Sequence, residues 1–165
     1  MKNNKVIDAL LEKTLEQERT LVFDTFGFDT AHEIGERLYQ AANRKNLPVA
    51  IDITRSGHQL YHAALPGSSP DNDAWILRKS RVVLRFGHSS YYWGLHLEKE
   101  GMTMETNYFL NSAEYAAHGG SFPILLRGTG VIGTITVSGL PSEEDHALVV
   151  EILEKFLGDG SAASF

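Results

Sequence analysis

The segment Gly130-Val-Ile-Gly-Thr-Ile-Thr-Val-Ser-Gly-Leu-Pro-Ser-Glu-Glu-Asp-His146 predicts a buried strand that leads directly into a helix. Its first half is rich in β-branched residues, which suit a pleated surface. A Ser-Gly-Leu-Pro turn then ends the strand, and Pro141 fits the first turn of a helix because its missing N–H has no intrahelical partner there. Ser142 and Asp145 have the spacing of a capping box, with Asp in place of Glu or Gln. We therefore predict a corner between a sheet and a helix here.

A glycine turn beneath a helix N-terminus is also a common position for a bound anion. In this chain, Glu143, Glu144 and Asp145 occupy the first turn of the predicted helix and complement its dipole. An anion would meet three carboxylates at that end. The sequence therefore favours a structural corner over a phosphate-binding loop.

The remaining elements follow from hydrophobic period and turn signals. The pattern predicts helices through Val6–Leu15, from Asp29 or Thr30 to about Asn46, from Asp71 or Asn72 to Phe86, and over Ser142–Leu157, with a further turn or helix at Ser89–Leu95 and a marginal helix at Asn107–Tyr115. Strands are predicted at Thr20–Asp24, Val49–Thr54, His58–Ala64, Phe122–Arg127 and Gly130–Val137. Hairpin signals and the lack of a regular βαβ period favour an α+β fold with an antiparallel sheet.

Size and composition limit the class of protein. A chain of 165 residues suggests one domain, which we place at residues 1–157, with a flexible tail at 158–165. The net charge of -6 argues against nucleic acid and anionic membrane as partners. Without cysteine there is no disulfide, thiolate zinc site or cysteine nucleophile. The sequence shows neither a signal-peptide pattern nor a run of about 20 apolar residues, so we expect a cytoplasmic location.

Several strings occur together and in an order typical of one family. They are Asp52-Ile-Thr54, Trp75-Ile-Leu-Arg-Lys79, Phe86-Gly-His-Ser-Ser-Tyr-Tyr92, Tyr115-Ala-Ala-His-Gly-Gly-Ser-Phe-Pro-Ile124 and Val137-Ser-Gly-Leu-Pro-Ser-Glu-Glu-Asp-His146. Over nearly its whole length the chain resembles uncharacterised protein family 0303. That family belongs to the haem-degrading-domain superfamily, together with haem-binding protein S and the glycolate-operon protein G.

The resemblance carries expectations about fold and function. It implies a profilin-like, three-layer α/β/α domain around a five-stranded antiparallel sheet, assembled into symmetric homo-oligomers. It implies no settled activity for the family itself. Haem is the ligand named for relatives, and the resemblance makes it the candidate cofactor here.

His58 and His62 are four residues apart in a predicted strand, so both side chains point to one face. Two such imidazoles could help bind a divalent ion or a haem iron. No acidic residue accompanies them locally, and Asp52 would have to arrive from the neighbouring strand. The alternative is a polar outer face of an edge hairpin, and we predict no metal site.

The segment Phe86–Trp93 places four aromatic residues and His88 within eight positions. Such a cluster could form a flat wall for a porphyrin, or it could be core and subunit-contact surface. The adjacent Ser89 and Ser90 do not indicate a serine hydrolase, because neighbouring helical residues do not face each other and no Gly-x-Ser-x-Gly elbow occurs.

The string His118-Gly-Gly-Ser121 is similar to an esterase oxyanion loop, but the matching nucleophile is missing. The glycines are better explained by a backbone turn with positive φ before the strand at Phe122. Arg78, Arg81 and Arg85 share one helical face and could bind carboxylates such as haem propionates or a small organic acid. A solvated or salt-bridging face is the alternative.

These observations favour a ligand-binding module for haem or a small organic acid, without catalytic residues that the sequence can name. The site is expected between the sheet and the aromatic segment, with the candidate residues His88, Tyr91, Tyr92, His118, Gly119, Gly120 and Ser121. Two other functions stay open. One is a scaffolding protein that binds another protein, and the other is a haem-degrading enzyme, which rests on the relatives alone.

Overall fold

The computed structural model describes residues 2–159, and within that range the chain forms six helices and five strands. The helices are α1 (Asn4–Thr20), α2 (Phe28–Arg44), α3 (Pro70–Phe86), α4 (Ser90–Glu100), α5 (Met104–Tyr108) and α6 (Ser142–Gly158). The strands are β1 (Val22–Phe23), β2 (Ala50–Arg55), β3 (His58–Ala64), β4 (Ser121–Leu126) and β5 (Gly130–Ser138). None of the helices in residues 2–159 is long and apolar enough to cross a membrane.

The five strands form one sheet in the order β1-β4-β5-β2-β3. The pairs β2–β3, β2–β5 and β4–β5 are antiparallel, as predicted. The prediction of a fully antiparallel sheet is wrong at one edge, where β1 runs parallel to β4 with Val22 opposite Leu125. No hairpin joins these two strands, so no tight turn forces the chain to reverse between them.

The two faces of the sheet differ in chemistry because side chains alternate along each strand. One face carries Ile51, Ile53, Phe122, Ile124, Ile135 and Val137, and it packs in the main hydrophobic core with α2 and α6. The opposite face carries Asp52, Ser121, Thr134 and Thr136, all buried, and α3 contacts β2, β4 and β5. Small and polar side chains therefore line the layer in which the candidate site lies.

The turn at Ser56-Gly57 forms the predicted hairpin between β2 and β3. Both residues have positive φ, 51° and 79°, as the two-residue primed turns require at their central positions. This short connection fixes the register in which Asp52 faces His62 across the two strands.

The corner after β5 forms as predicted, but its capping differs. Pro141 is the N-cap of α6, and no side chain caps the helix, so the predicted capping box is wrong. The hydroxyl oxygen of Ser142 instead accepts the N–H of Gly119 at 2.7 Å. The Asp145 carboxylate turns back and accepts the N–H groups of Gly139 and Leu140.

Two further boundaries depart from prediction. The predicted marginal helix of residues 107–115 is replaced by α5, which Thr103 caps at its start and which Phe109 follows as the C-cap with a left-handed φ of 57°. At the other end of the chain, Gly158 closes α6 and Asp159 is its C-cap. The rest of the predicted tail, residues 160–165, lies outside the described residues.

Candidate functional site

The structure divides the predicted site residues between two places. His118 and Gly119 line a cavity of about 250 Å³, called here the His118 cavity, between α3 and the start of α6. Gly120 and Ser121 are buried. The other three candidates, His88, Tyr91 and Tyr92, lie at the start of α4, where that helix contacts α1.

The His118 ring is exposed at the rim of its cavity and contacts the Trp75 ring edge-on at 5.2 Å between centroids. Its nitrogens form no hydrogen bond with any other residue of 2–159. The pKa of His118 is lowered, first by desolvation against the cavity wall and then by the positive charges of Lys79 and Arg78. The imidazole is therefore neutral at physiological pH and has a nitrogen lone pair available to a ligand.

A buried ion pair forms the inner wall of the His118 cavity. Lys79 Nζ donates to Asp145 Oδ2 at 2.9 Å and to the carbonyl oxygen of Val137 at 3.2 Å. Burial lowers the pKa of Lys79, and Asp145 opposes this effect. An ammonium has three donors, so Lys79 retains one N–H beyond these two contacts.

The two glycines after His118 are required for different reasons. Gly120 has a φ of 132°, which few other residues adopt, and this agrees with the predicted positive-φ turn. Gly119 is required by close packing, because a Cβ there would lie 2.2 Å from the carbonyl oxygen of Ser142. Together they bring the chain after His118 against the start of α6.

A second cavity, of about 340 Å³, lies on the other side of His118. Its lining includes the side chains of Leu97, Met102, Met104 and Tyr115, so it is more apolar than the first. His118 lines both cavities, and Arg78 lines the second. The neutral imidazole therefore stands between a polar cavity and an apolar one.

His88 has a different environment. Its Nδ1 lies 2.6 Å from Oε2 of Glu18, whose other oxygen accepts the N–H of Ser89 at 2.8 Å. The His88 ring packs against Tyr92 in a tilted arrangement at 4.5 Å, and Tyr92 stacks on His96 at 6.1 Å. The Glu18 carboxylate orients the imidazole, as a carboxylate orients many ligating histidines, but His88 lines neither of the cavities next to His118.

Tyr91 and Ser121 are built into the interior. Tyr91 is buried and packs against the His146 ring in a tilted arrangement at 4.7 Å. The Ser121 N–H donates to Ser90 Oγ at 3.0 Å, and its hydroxyl lies 2.8 Å from Thr136 Oγ1. These hydrogen bonds connect the start of α4 to the polar face of the sheet.

Three important residues of the cavity were not predicted as site residues: Trp75, Lys79 and Asp145. The available signal was the position of Lys79, which shares the apolar period of α3 with Ile76, Val82 and Val83. A lysine on the buried face of a helix indicates a buried partner, but its spacing cannot say which carboxylate that is. In residues 2–159, no group of three or more His, Asp or Glu side chains is placed to hold a metal ion.

Comparison with known proteins identifies the family. Residues 26–154 match the family model described as haem degrading protein HbpS-like. The chain belongs to this HbpS-like family. A UPF0303 protein of Streptomyces coelicolor is 56% identical over 144 residues, which are 87% of this chain and 91% of the relative. A UPF0303 protein of Rhizobium etli is 50% identical over 151 residues, 92% of each chain.

Solved structures share the fold of this HbpS-like protein. The Ybr137w protein superposes with a TM-score of 0.84 at 36% identity, over 97% of this chain and 98% of that one. HbpS gives a TM-score of 0.62 at 15% identity over 81% and 90% of the two chains. A PduOC–haem complex gives 0.65 at 16% identity over 78% and 93%. At these low identities the last two show a common fold only.

Proposed function

We propose that this HbpS-like protein binds haem at the His118 cavity, with the neutral imidazole of His118 as the iron ligand. One observation carries the proposal. The His118 ring makes no hydrogen bond within residues 2–159 and stands between a polar and an apolar cavity. Neutral imidazole is a standard axial ligand of haem iron.

The chemistry around His118 fits an amphiphilic ligand. Met102, Met104 and Leu97 offer an apolar, adaptable surface to a macrocycle. On the polar side, the remaining N–H of Lys79 and the hydroxyl of Ser142 offer donors to carboxylates. The iron of a bound haem would supply redox chemistry, and this chain would hold and orient it.

The comparisons support the same ligand class. The family is described as haem degrading protein HbpS-like, and one protein of the same fold was solved in complex with haem. Tyr92 and His88, also predicted for the site, line neither of the cavities next to His118. We propose for them a supporting role at the contact between α4 and α1.

A small organic acid is the second candidate, and a specific contact favours it. The sequence predicts that the carboxylates in the first turn of α6 repel a bound anion. In the structure this repulsion is weakened, because Asp145 pairs with Lys79 and Glu143 Oε1 lies 2.8 Å from Lys2 Nζ. A carboxylate near Ser142 would therefore meet less uncompensated negative charge than the sequence suggests. The volume of about 250 Å³ suits a small molecule.

A haemin titration tests the proposal. Wild type is expected to develop a Soret band with a defined end point, and His118→Ala is expected to weaken binding at least tenfold. His58→Ala, at an exposed position of β3, is the matched control and is expected to behave as wild type. Equal binding by His118→Ala and wild type, with the fold intact, would exclude His118 as the iron ligand.

Two added measurements separate the other functions. Competition of haemin binding by a small dicarboxylate would indicate that acids occupy the polar cavity. Product analysis after adding a reductant to the haemin complex would show whether the protein degrades haem or only binds it. Failure of every ligand to bind would favour the scaffolding function.

A further inference from the structure

We infer that a second cavity, away from His118, binds a small organic cation: a primary ammonium ion with a short aliphatic chain. This cavity, called here the Asp52 cavity, has a volume of about 300 Å³ and lies between the β2–β3 hairpin and the first half of α3. Its lining residues are Asp52, Gln59, His62, Asp73, Ile76 and Leu77. The inference is independent of the proposed haem site, since the two cavities share no lining residue.

The first observation is the state of Asp52 at the base of this cavity. Asp52 is 6% exposed, and its carboxylate accepts hydrogen bonds from Thr54 Oγ1 at 2.7 Å and from Gln59 Nε2 at 2.5 Å. Both donors are neutral. No Lys or Arg in residues 2–159 forms an ion pair with it.

This distinguishes Asp52 from the other buried carboxylates of residues 2–159. Lys79 and Asp145 pair with each other, and Glu18 contacts His88. A buried carboxylate is rarely left without a positive partner, because burial removes the water that stabilises its charge. An ionised carboxylate has about four acceptor positions, and two of these are filled here. A cation from solvent would complete the set.

The second observation is the composition of the walls. Asp73 Oδ1 lies 2.7 Å from His62 Nε2, so a second carboxylate stands at the opening, with its side chain 48% exposed. The cavity lining contains neither Lys nor Arg. With neutral His62 the lining carries two negative charges, and with protonated His62 it still carries one. Both states attract a cation.

The apolar part of the lining determines which cation fits. Ile76 is buried, and Leu77 is 57% exposed at the rim. These two side chains could contact a short hydrocarbon chain while the ammonium group donates to Asp52. A metal ion is a poorer fit, because no three His, Asp or Glu side chains in the described chain are placed to ligate one. The walls therefore favour an alkylammonium ion.

Calorimetric titration with n-butylammonium chloride tests the inference, with butan-1-ol and sodium butyrate as the uncharged and anionic analogues. Only the ammonium ion is expected to bind. Affinity is expected to rise about fourfold for each methylene added from ethylammonium to butylammonium, as for burial of a CH₂ group. Binding of butan-1-ol as tight as that of butylammonium would overturn the inference.

Variants locate the site. Asp52→Asn keeps the shape of the side chain and removes its charge, and it is expected to weaken butylammonium binding at least tenfold. Asp29→Asn, at an exposed position in α2, is the matched control and is expected to have no effect. Unchanged affinity in Asp52→Asn would contradict the inference.

A second pair of variants keeps the test decisive if Asp52→Asn does not fold. Leu77→Lys adds an ammonium group at the rim and is expected to reduce butylammonium affinity at least fivefold. Leu84→Lys changes the same residue type on the same helix at 56% exposure, outside the cavity, and is expected to leave affinity unchanged. Equal affinities in these two variants would overturn the proposed location.

Discussion

At the scale of single residues, the histidines of this chain differ by their neighbours rather than by their sequence context. His88 contacts the Glu18 carboxylate, His62 contacts Asp73, and His146 contacts Gln17. His118 has an aromatic neighbour and nearby cations but no acceptor or donor within the described chain. Of these four, His118 is therefore the one with both ring nitrogens free for a ligand.

The neutral state of His118 can be measured directly. We expect its pKa to lie below 6.5 in a ¹⁵N NMR titration of the histidine rings, because desolvation and the charges of Lys79 and Arg78 oppose protonation. Arg78→Gln removes one of those charges and is expected to raise the pKa. A His118 pKa above 6.5, with no change in Arg78→Gln, would contradict this account of the cavity.

His146 makes stability depend on pH. Burial lowers its pKa to about 4, and its Nδ1 is buried without a hydrogen-bond partner in residues 2–159. The unfolded chain, with an ordinary pKa near 6.5, therefore binds the proton more readily than the folded chain. The contribution of neutral His146 to the free energy of unfolding is therefore fully present above about pH 6.5 and is lost as the pH falls toward 4.

Urea unfolding at pH 7 and pH 4.5 measures this effect. Between pH 7 and pH 4.5, the free energy of unfolding of wild type is expected to fall by about 2–3 kcal/mol more than that of His146→Gln. The reason is that only wild type takes up a proton at this position on unfolding. The variant also lacks the ring that packs against Tyr91, so the comparison is between pH dependences and not between absolute stabilities. An identical pH dependence in both proteins would show that His146 is not the group responsible.

At the scale of elements, the sequence predicted those features that depend only on residues close together in the chain. The Ser56-Gly57 hairpin and the corner after β5 were predicted because their turn residues lie within a few positions of the strands they join. The parallel pairing of β1 was missed because its partner strand lies far along the chain. The capping of α6 was also missed, because Ser142 and Asp145 satisfy backbone groups outside the helix.

The site follows the same rule. The sequence indicated that the glycines after His118 permit a turn, since that requirement is local. It did not indicate that Lys79 of α3 and Asp145 of α6 would meet at 2.9 Å beneath them. Nor did it indicate that His88 would line neither cavity next to His118, because both histidines lie beside glycine in the family strings.

The packing of α2 on β3 gives a test at this scale. A Cβ on Gly35 would lie 2.4 Å from the ring of Tyr61, so helix and strand approach more closely than any larger residue allows. Gly35→Ala is expected to destabilise the fold by about 1–3 kcal/mol through overpacking. Gly158→Ala is the control, since that helical position has open space, and it is expected to be neutral or slightly stabilising.

Chemical denaturation of the two glycine variants measures the difference. The double variant Gly35→Ala with Tyr61→Leu is expected to recover part of the loss, because the ring that meets the new methyl group has been removed. A Gly35→Ala protein as stable as Gly158→Ala would show that α2 can move away from β3 at little cost.

At the scale of the whole molecule, the sheet separates the main hydrophobic core from the layer that contains α3. The apolar core lies between the sheet and helices α2 and α6, while the His118 and Asp52 cavities both adjoin α3 on the other side. Both proposed ligand sites therefore lie on the side of the sheet opposite the main core.

Self-association is a prediction at this scale. The sequence predicts that the segment Phe86–Trp93 contacts another subunit. Within the chain, Phe86 and Trp93 pack against each other at 4.5 Å and against Tyr108, and both stay partly exposed, as do His88 and Tyr92. Sedimentation at micromolar concentration is expected to give a multiple of the 18.3 kDa chain, and Tyr92→Asp a smaller species. A native wild-type monomer would refute the prediction.

The central claim is that the imidazole of His118 ligates haem iron, and rescue by free imidazole tests it most directly. His118→Gly is expected to lose the Soret spectrum of wild type with haemin, and addition of imidazole is expected to restore it. His88→Gly serves as the control and is expected to keep the wild-type spectrum without imidazole. A wild-type spectrum in His118→Gly before imidazole is added would contradict the account.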